Sequence, residues 1–563
     1  MNRRQTAVTL ALILAAGAVL RAAYLAELRS APDFQHPTLD AGFHDYWAHG
    51  LVTGDWKPPP GEGDPMIRDN PYLRPPAYPY FLAAIYKAAG VNYLAVRAVQ
   101  MTLGLVSVLL VFLIARRAFD ARTGLMASAL TASYWILIYF EGELEEPVLA
   151  VLAALVVLWL LLCWDEHPTP LRALLSGLAL GLLALVRPNA LLFAPVAAAW
   201  MISPSSAKTW TRRWTAAALL AVGLVLALAP CAVRNRRVSG EWVLVSCNGP
   251  LNLYIGNHPE SDGIVSRIPD LQKLTGLDGW DWFEYPELVR RLARAEGFEP
   301  SFRGASAYFT RRAVDFVREH PALSFRRMLL KAGRFWGVWE VPNTKILYYD
   351  RAESRVLRIL PGYPMALALF LVGLVTWNAE PRQRPEGGRA RRGGALLLLF
   401  MAVYFLSFVP FLVAARFRAP LIPFMLMFGA QACVSVLDWL KKRERAKAAL
   451  ASALAVCLWL IFAVRTTADP NRSQWHFDRG QAFARAGAIE EAVAEYREAL
   501  RLMPSYLEAR LRLVALLRRK GDLARAVEEC KLHLEECPEA APVRTLLRRI
   551  EAESHPAGIG DAR

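Results

Sequence analysis

The feature that most constrains this chain is a succession of apolar, largely uncharged runs, many of them about 18 residues or longer, recurring as far as residue 464. Such a run crosses a bilayer as a helix, because hydrocarbon offers no partner to an unpaired backbone amide. The first run, Thr6 to Leu20, follows Met1-Asn2-Arg3-Arg4. It reads as an uncleaved first span rather than a cleaved signal peptide, because more spans follow and an acidic segment comes directly after it. Further spans read at about 92–114, 124–140, 146–163, 171–186, 188–202, 215–232, 361–377, 395–415, 419–438 and 448–464, giving about eleven crossings. The expected class is an all-α polytopic membrane protein. An ordinary soluble enzyme is excluded by the same pattern, with 55% apolar residues and 21% charged.

The excess of positive charge, +16 from 66 Lys+Arg against 50 Asp+Glu, sits beside the apolar runs rather than along one soluble face. It therefore encodes topology and gives no reason to expect a nucleic-acid partner. Under strict alternation Arg3/Arg4, Arg116/Arg117/Arg122, Lys208/Arg212/Arg213, Arg382 to Arg392 and Lys441 to Lys447 share one side, the cytoplasmic one. The opposite face then receives loops 30–91 and 233–360, the turn near Glu141, the turn at Arg416 and the C-terminal tail. Residues 321–339 mix arginines with aromatics at helical spacing and suggest a helix lying in the membrane interface, in contact with lipid. A scaffold helix is the alternative for that segment.

Beyond Asp469 the composition turns to Ala, Glu, Arg and Leu, and a 34-residue period appears: Gly487 matches Gly521, Ala492 matches Ala526 and Pro504 matches Pro538. Gly480, Tyr496 and Ala499 complete the first unit, while Cys530 and His533 replace the last two in the second. The pattern resembles tetratricopeptide repeats, an α-solenoid of helix pairs. Domains are expected at 1–465 (membrane), 470–545 (two repeats) and 546–563 (a flexible tail). The repeats suggest a protein partner, or packing against the membrane domain. The seven cysteines form no CxxC pair, and Cys530 and Cys537 lie about 10 Å apart along a helix, so no disulfide framework is expected.

Candidate chemistry lies in the segments assigned to the outer face. The first loop holds Leu39-Asp40-Ala41-Gly42-Phe43-His44-Asp45-Tyr46 and then Arg74-Pro75-Pro76-Ala77-Tyr78-Pro79, a guanidinium in a stiff aromatic turn. The turn Glu141-Gly-Glu143-Leu-Glu145-Glu146, the corner Val186-Arg187-Pro188-Asn189, the segment Asn248 to Asn257, and Arg416-Phe417-Arg418 follow. Guanidiniums at the outer ends of spans are out of place under the topology rule and suit an anionic phosphate. Either Asp40 or Asp45 could instead cap the helix beginning near Phe43. His36, His44 and His49 lack the spacing of a zinc motif and read as scattered interfacial histidines.

In this order, over roughly residues 1–465, these motifs resemble the membrane glycosyltransferases of the GT-C fold, in particular the protein O-mannosyltransferase and aminoarabinose transferase group. The resemblance implies a transmembrane helical domain with external loops, and transfer with inversion from a polyprenyl-phosphate sugar to an acceptor hydroxyl of unknown identity. It implies a site on the periplasmic face of the inner membrane, with the repeat tail on the same side. By that likeness Asp40 is the general base. The family often has Glu after this Asp where Ala41 stands here, which keeps Asp45 as a second candidate. Glu143 would orient the acceptor or a cation. Arg74, Arg187, Arg416 and Arg418 would bind the donor phosphate, and Tyr46, Tyr78, Asn248 and Asn257 would line the sugar or acceptor pocket. No metal ligand set is assigned, and the one cofactor the resemblance leaves open is a divalent cation, which some members use. A lipid or solute transporter and a membrane-anchored repeat scaffold are the alternatives; the first lacks two similar halves with interrupted helices.

Overall fold

The computed structural model describes residues 2–59, 62–203, 209–262, 274–275, 282–342, 345–379, 387–464 and 471–554, and these contain helices, turns and loops with no strand. They divide into two bodies. The first takes in the described residues of 1–26, 43–343 and 355–468; the second takes in those of 27–42, 344–354 and 469–563.

Eight described helices are long and apolar enough to cross a membrane: Arg3–Leu28, Tyr93–Ala118, Pro147–Glu166, Trp210–Ser239, Leu357–Trp377, Arg391–Phe408, Ala415–Lys441 and Arg445–Val464. A ninth position is filled by Ala121–Ala132 and Trp135–Gly142, a pair bent by 53°. The two remaining expected crossings are the short helices Pro170–Val186 and Pro188–Ile202. They stay short because Pro188 disfavours α geometry at Arg187, which is extended at φ −137° and ψ 92°. Among the described residues, the roughly eleven expected crossings correspond to eight long apolar helices, one bent pair and two short apolar helices.

Small residues set the spacing of the bundle. A Cβ added at Gly177 would overlap the Leu220 carbonyl, and one at Gly223 would overlap that of Leu174, so Pro170–Val186 and Trp210–Ser239 pack backbone to backbone. At the ends that carry the basic clusters, Arg117 pairs with Glu166, Arg122 with Asp438 and Arg392 with Asp165. The loops form an aromatic core of their own in which Phe43, Trp47, Tyr72, Tyr254, Tyr285 and Phe309 are buried. Helix Pro321–Phe335 buries Ser324, Lys331 and Phe335 and leaves Leu323, Phe325, Leu329 and Leu330 exposed. The helix is amphipathic, with an exposed apolar face, which either reading of this segment allows.

In the second body, helices Arg472–Arg485, Ile489–Leu502, Leu507–Arg519, Leu523–Glu536 and Ala541–Ser554 form the solenoid. The last takes residues 546–554 of the expected flexible tail into the solenoid, since Val543 and Ile550 are buried with Leu546 and Leu547 packed beside them, and this apolar stripe closes the second repeat; the rest of that tail, 555–563, lies outside the described residues. The body also includes segments 27–42 and 345–354. Trp475 Nε1–H donates to Asp350 at 2.9 Å, the Tyr349 ring lies 5.5 Å from that of Trp475, and Arg485 donates to the Pro37 carbonyl at 2.9 Å.

Candidate active site

The centre of the first body's polar chemistry is the turn from Glu141 to Glu146. Helix Trp135–Gly142 ends at Glu143, which is extended, and Pro147 opens the next helix where a missing N–H costs nothing. Glu141, Glu143, Glu145 and Glu146 are all buried. Buried carboxylates need counter-charges. Arg21 pairs with Glu141 at 2.7 Å, Arg416 with Glu145 at 3.7 Å and Arg187 with Glu146 at 2.9 Å. His44 Nε2 stands 3.6 Å from the second Glu146 oxygen. Burial alone would raise the Glu146 carboxyl, but Arg187, the nearby His44, Arg416 and Arg74 hold it well below the usual carboxylate range.

Three of the four expected phosphate-binding arginines thus gather around one carboxylate. Arg187 leaves its helix at the extended residue before Pro188 and donates to the Arg416 carbonyl at 3.4 Å. Its guanidinium lies 4.9 Å from the Phe417 ring centroid, and that of Arg416 lies 5.3 Å from the same ring. Arg74 is buried over Trp282 at 5.1 Å and Phe43 at 5.9 Å. Arg187 Nε is buried with no hydrogen-bond acceptor among the described residues, leaving a donor that an anionic ligand would satisfy.

The turn's backbone is fixed by residues the sequence reading did not single out. Gln100 Nε2 donates to the carbonyls of Glu141 and Glu143, both at 2.8 Å, while Arg97 Nε donates to that of Gly142 at 2.8 Å. Tyr78 donates to Gln100 Oε1 at 2.5 Å. Burial pushes its phenol well above the usual range, so it stays a neutral donor. Its ring meets His44 edge-on at 5.0 Å.

The other expected site residues lie elsewhere. Arg418 donates to Glu340 at 2.6 Å and to the carbonyls of Phe335, Gly337 and Trp339, with its guanidinium 3.3 Å from the Tyr363 ring centroid. It anchors segment 335–340 and stands apart from the other three arginines. The Asp45 oxygens accept from Tyr86 at 2.7 Å and Tyr93 at 3.1 Å, which suits an anchor between helices. Tyr46 is a core aromatic whose hydroxyl donates to the Trp56 carbonyl at 2.8 Å. Asn257 donates to the carbonyls of Leu253 and Pro410 at 2.8 and 2.7 Å, and Asn248 accepts from Ser246 at 3.0 Å. Asp40 is buried in the first turn of helix Leu39–Thr53 and belongs to the second body, whereas the arginines belong to the first. Among the described residues no group of three His, Cys, Asp or Glu side chains is placed to hold a metal. The glutamates at 141, 145 and 146 are already matched to arginines, an arrangement that does not fit a divalent cation.

Bundle and repeats define the class, a multi-pass membrane protein with C-terminal tetratricopeptide repeats, and the sequence comparisons show its similarity to membrane glycosyltransferases. Residues 73–232 match the dolichyl-phosphate-mannose-protein mannosyltransferase family, and residues 483–550 match the tetratricopeptide repeat. More particularly, the chain is similar to the undecaprenyl phosphate-alpha-4-amino-4-deoxy-L-arabinose arabinosyl transferase of Pseudomonas aeruginosa strain UCBPP-PA14. The two are 27% identical over 75% of this chain and 69% of that one. The enzyme of Pseudomonas paraeruginosa strain DSM 24068 is 26% identical over 75% and 70%. Among solved structures, the apo oligosaccharyltransferase of Archaeoglobus fulgidus aligns with a TM-score of 0.44 at 14% identity, covering 85% of this chain and 58% of its own length. ArnT from Cupriavidus metallidurans bound to undecaprenyl phosphate aligns with a TM-score of 0.31 at 13% identity, covering 76% and 78%.

Proposed function

We propose that the chain transfers a sugar from a polyprenyl-phosphate donor to an acceptor hydroxyl at the periplasmic face of the inner membrane, with inversion. Asp40 takes the proton of the acceptor hydroxyl. The freed oxygen attacks the anomeric carbon, the bond from that carbon to the phosphate oxygen breaks, and Arg74, Arg187 and Arg416 take up the charge left on the lipid phosphate. Glu143 orients the acceptor, Tyr78 lines the sugar or acceptor site, and the repeats present a surface to a protein partner.

The convergence of Arg74, Arg187 and Arg416, far apart in sequence, on Glu146 supports this reading most directly. In the free enzyme Glu145 and Glu146 neutralise the guanidiniums, keeping them ordered in a buried setting. A donor phosphate then exchanges one anion for another, so the cations need no reorganisation when charge builds on the leaving oxygen. The similarity to enzymes named for an undecaprenyl-phosphate sugar supports the donor class.

The test follows labelled undecaprenyl-phosphate sugars through wild type, Asp40→Asn and Arg187→Ala in membranes that supply the acceptor. Wild type consumes donor and releases undecaprenyl phosphate. Asp40→Asn loses turnover, and Arg187→Ala loses about 10²- to 10³-fold, the scale for one preorganised charge-stabilising donor. Full turnover by both variants overturns the assignment.

A further inference from the structure

We propose that Arg485, in the last turn of the first repeat helix, is a positioning residue for Asp40. The inference rests on the reading of Asp40 as general base, and every group in it lies within the second body. Arg485 Nη1 donates to the Pro37 carbonyl at 2.9 Å, three residues before Asp40. The same nitrogen lies against Gly42, two residues after Asp40. A Cβ there would come within 3.1 Å of it and 2.9 Å of the Pro37 oxygen, so the glycine is what permits the approach.

Between these contacts the backbone is strained. Leu39 has a φ of 55°, in the left-handed region that a γ-branched residue seldom occupies. The Gly42 N–H then closes the first helical turn on the Thr38 carbonyl at 3.1 Å. A conformation of this kind persists where the surroundings over-determine it. Here Arg485 holds the Pro37 side of the turn and packs on the Gly42 side.

Segment 345–354 provides a second connection. Trp475, on the same repeat helix as Arg485, holds Asp350. From that segment, Lys345 pairs with Asp33, and Ser354 donates to Glu27 at 2.6 Å. The first repeat helix therefore reaches segment 27–42 directly through Arg485 and indirectly through Trp475. A general base works only within hydrogen-bond reach of its proton, and displacement by about 1 Å costs about 10²-fold in rate. Holding Pro37 and Gly42 fixes where the Asp40 carboxylate is delivered.

The experiment uses the full chain in membranes, with labelled undecaprenyl phosphate-α-4-amino-4-deoxy-L-arabinose as the donor probe. It compares wild type, Arg485→Ala, Arg485→Lys, Asp40→Asn and Arg501→Ala, the last an exposed repeat arginine paired with Glu498. The expected result is a kcat about 10- to 100-fold lower in Arg485→Ala with the donor KM within about twofold, because base placement changes while the phosphate arginines do not. Arg485→Lys recovers most of the rate, since an ammonium can still donate to Pro37, and Arg501→Ala matches wild type. Wild-type kcat in Arg485→Ala beside an inactive Asp40→Asn overturns the positioning role and leaves the base assignment standing. An active Asp40→Asn removes the premise instead. Parallel losses of kcat, KM and melting temperature, with no recovery in Arg485→Lys, mark general loosening and overturn the proposal.

Discussion

Replacing Glu146 with Gln tests the idea that this carboxylate keeps a phosphate site charged and ordered while the site is empty. The substitution keeps the side chain's size and removes the charge that faces Arg187 at 2.9 Å, with Arg416 and Arg74 in its field. At an effective dielectric constant of about 20, a unit pair at that distance interacts by about 6 kcal/mol. Loss of one partner of a buried pair typically costs about 3–5 kcal/mol, and the neighbouring Glu145 is already matched to Arg416. We therefore expect Glu146→Gln to melt well below wild type in detergent. Undecaprenyl phosphate should reverse much of that loss, because a ligand at about 100 times its Kd adds about 2.7 kcal/mol. The shift on adding lipid should be larger in the variant than in wild type, since the phosphate no longer competes with a carboxylate. The pH dependence has a definite sign. A carboxyl held below its unfolded value contributes stability above about pH 4.3, and that contribution is lost only as pH falls through the lowered folded value. The gap between variant and wild type should thus hold constant from pH 8 to about pH 5 and close only at more acidic pH. Equal melting temperatures with equal lipid shifts would refute both the counter-ion role and the phosphate site.

Other perturbations separate site from scaffold. Asp45→Asn should cost about 1–2 kcal/mol of stability through its two tyrosine bonds and leave turnover within about tenfold, measured by melting and donor consumption. Gly104→Ala would drive a methyl into Glu141, break its pair with Arg21, and should reduce both the folded yield and the melting temperature. Asp478 is held well above the usual range by burial, so the folded form keeps a proton that the unfolded chain releases above about pH 3.9. Stability of the repeats therefore falls as pH rises through that window. Asp478→Asn, which retains the acceptor for Gln474, should slow hydrogen exchange of helices Arg472–Arg485 and Ile489–Leu502 in the full chain at pH 7.

The catalytic candidates were legible unevenly. Arg416 stood out because a guanidinium at the outer end of a span defies the topology rule, and Arg187 because it breaks an apolar stretch; they are found on the adjacent glutamates 145 and 146. Arg418 carried the same signal two residues on, yet it turns to Glu340 and a set of carbonyls. One-dimensional spacing cannot tell on which side of a short helix a charge will find its counter-ion. His44 looked like a scattered interfacial histidine until folding set it 3.6 Å from Glu146. Gln100 gave no sequence signal at all, since a lone amide in an apolar run acquires meaning only from the carbonyls it meets.

The sequence by itself determined the class of molecule. Apolar run length fixes helices that must satisfy their own backbone in hydrocarbon, and a 34-residue period fixes a solenoid of helix pairs; both are local rules that hold whatever the helices later touch. Tertiary structure decided which charges share a buried space, and so which arginines face the acidic turn. It also decided that segments 27–42 and 345–354 join the repeat body, a choice made by Arg485, Trp475 and Lys345 through contacts between residues more than a hundred positions apart. Pairing of buried charges depends on distance in three dimensions and on the exclusion of water, and neither is written in the order of residues along the chain.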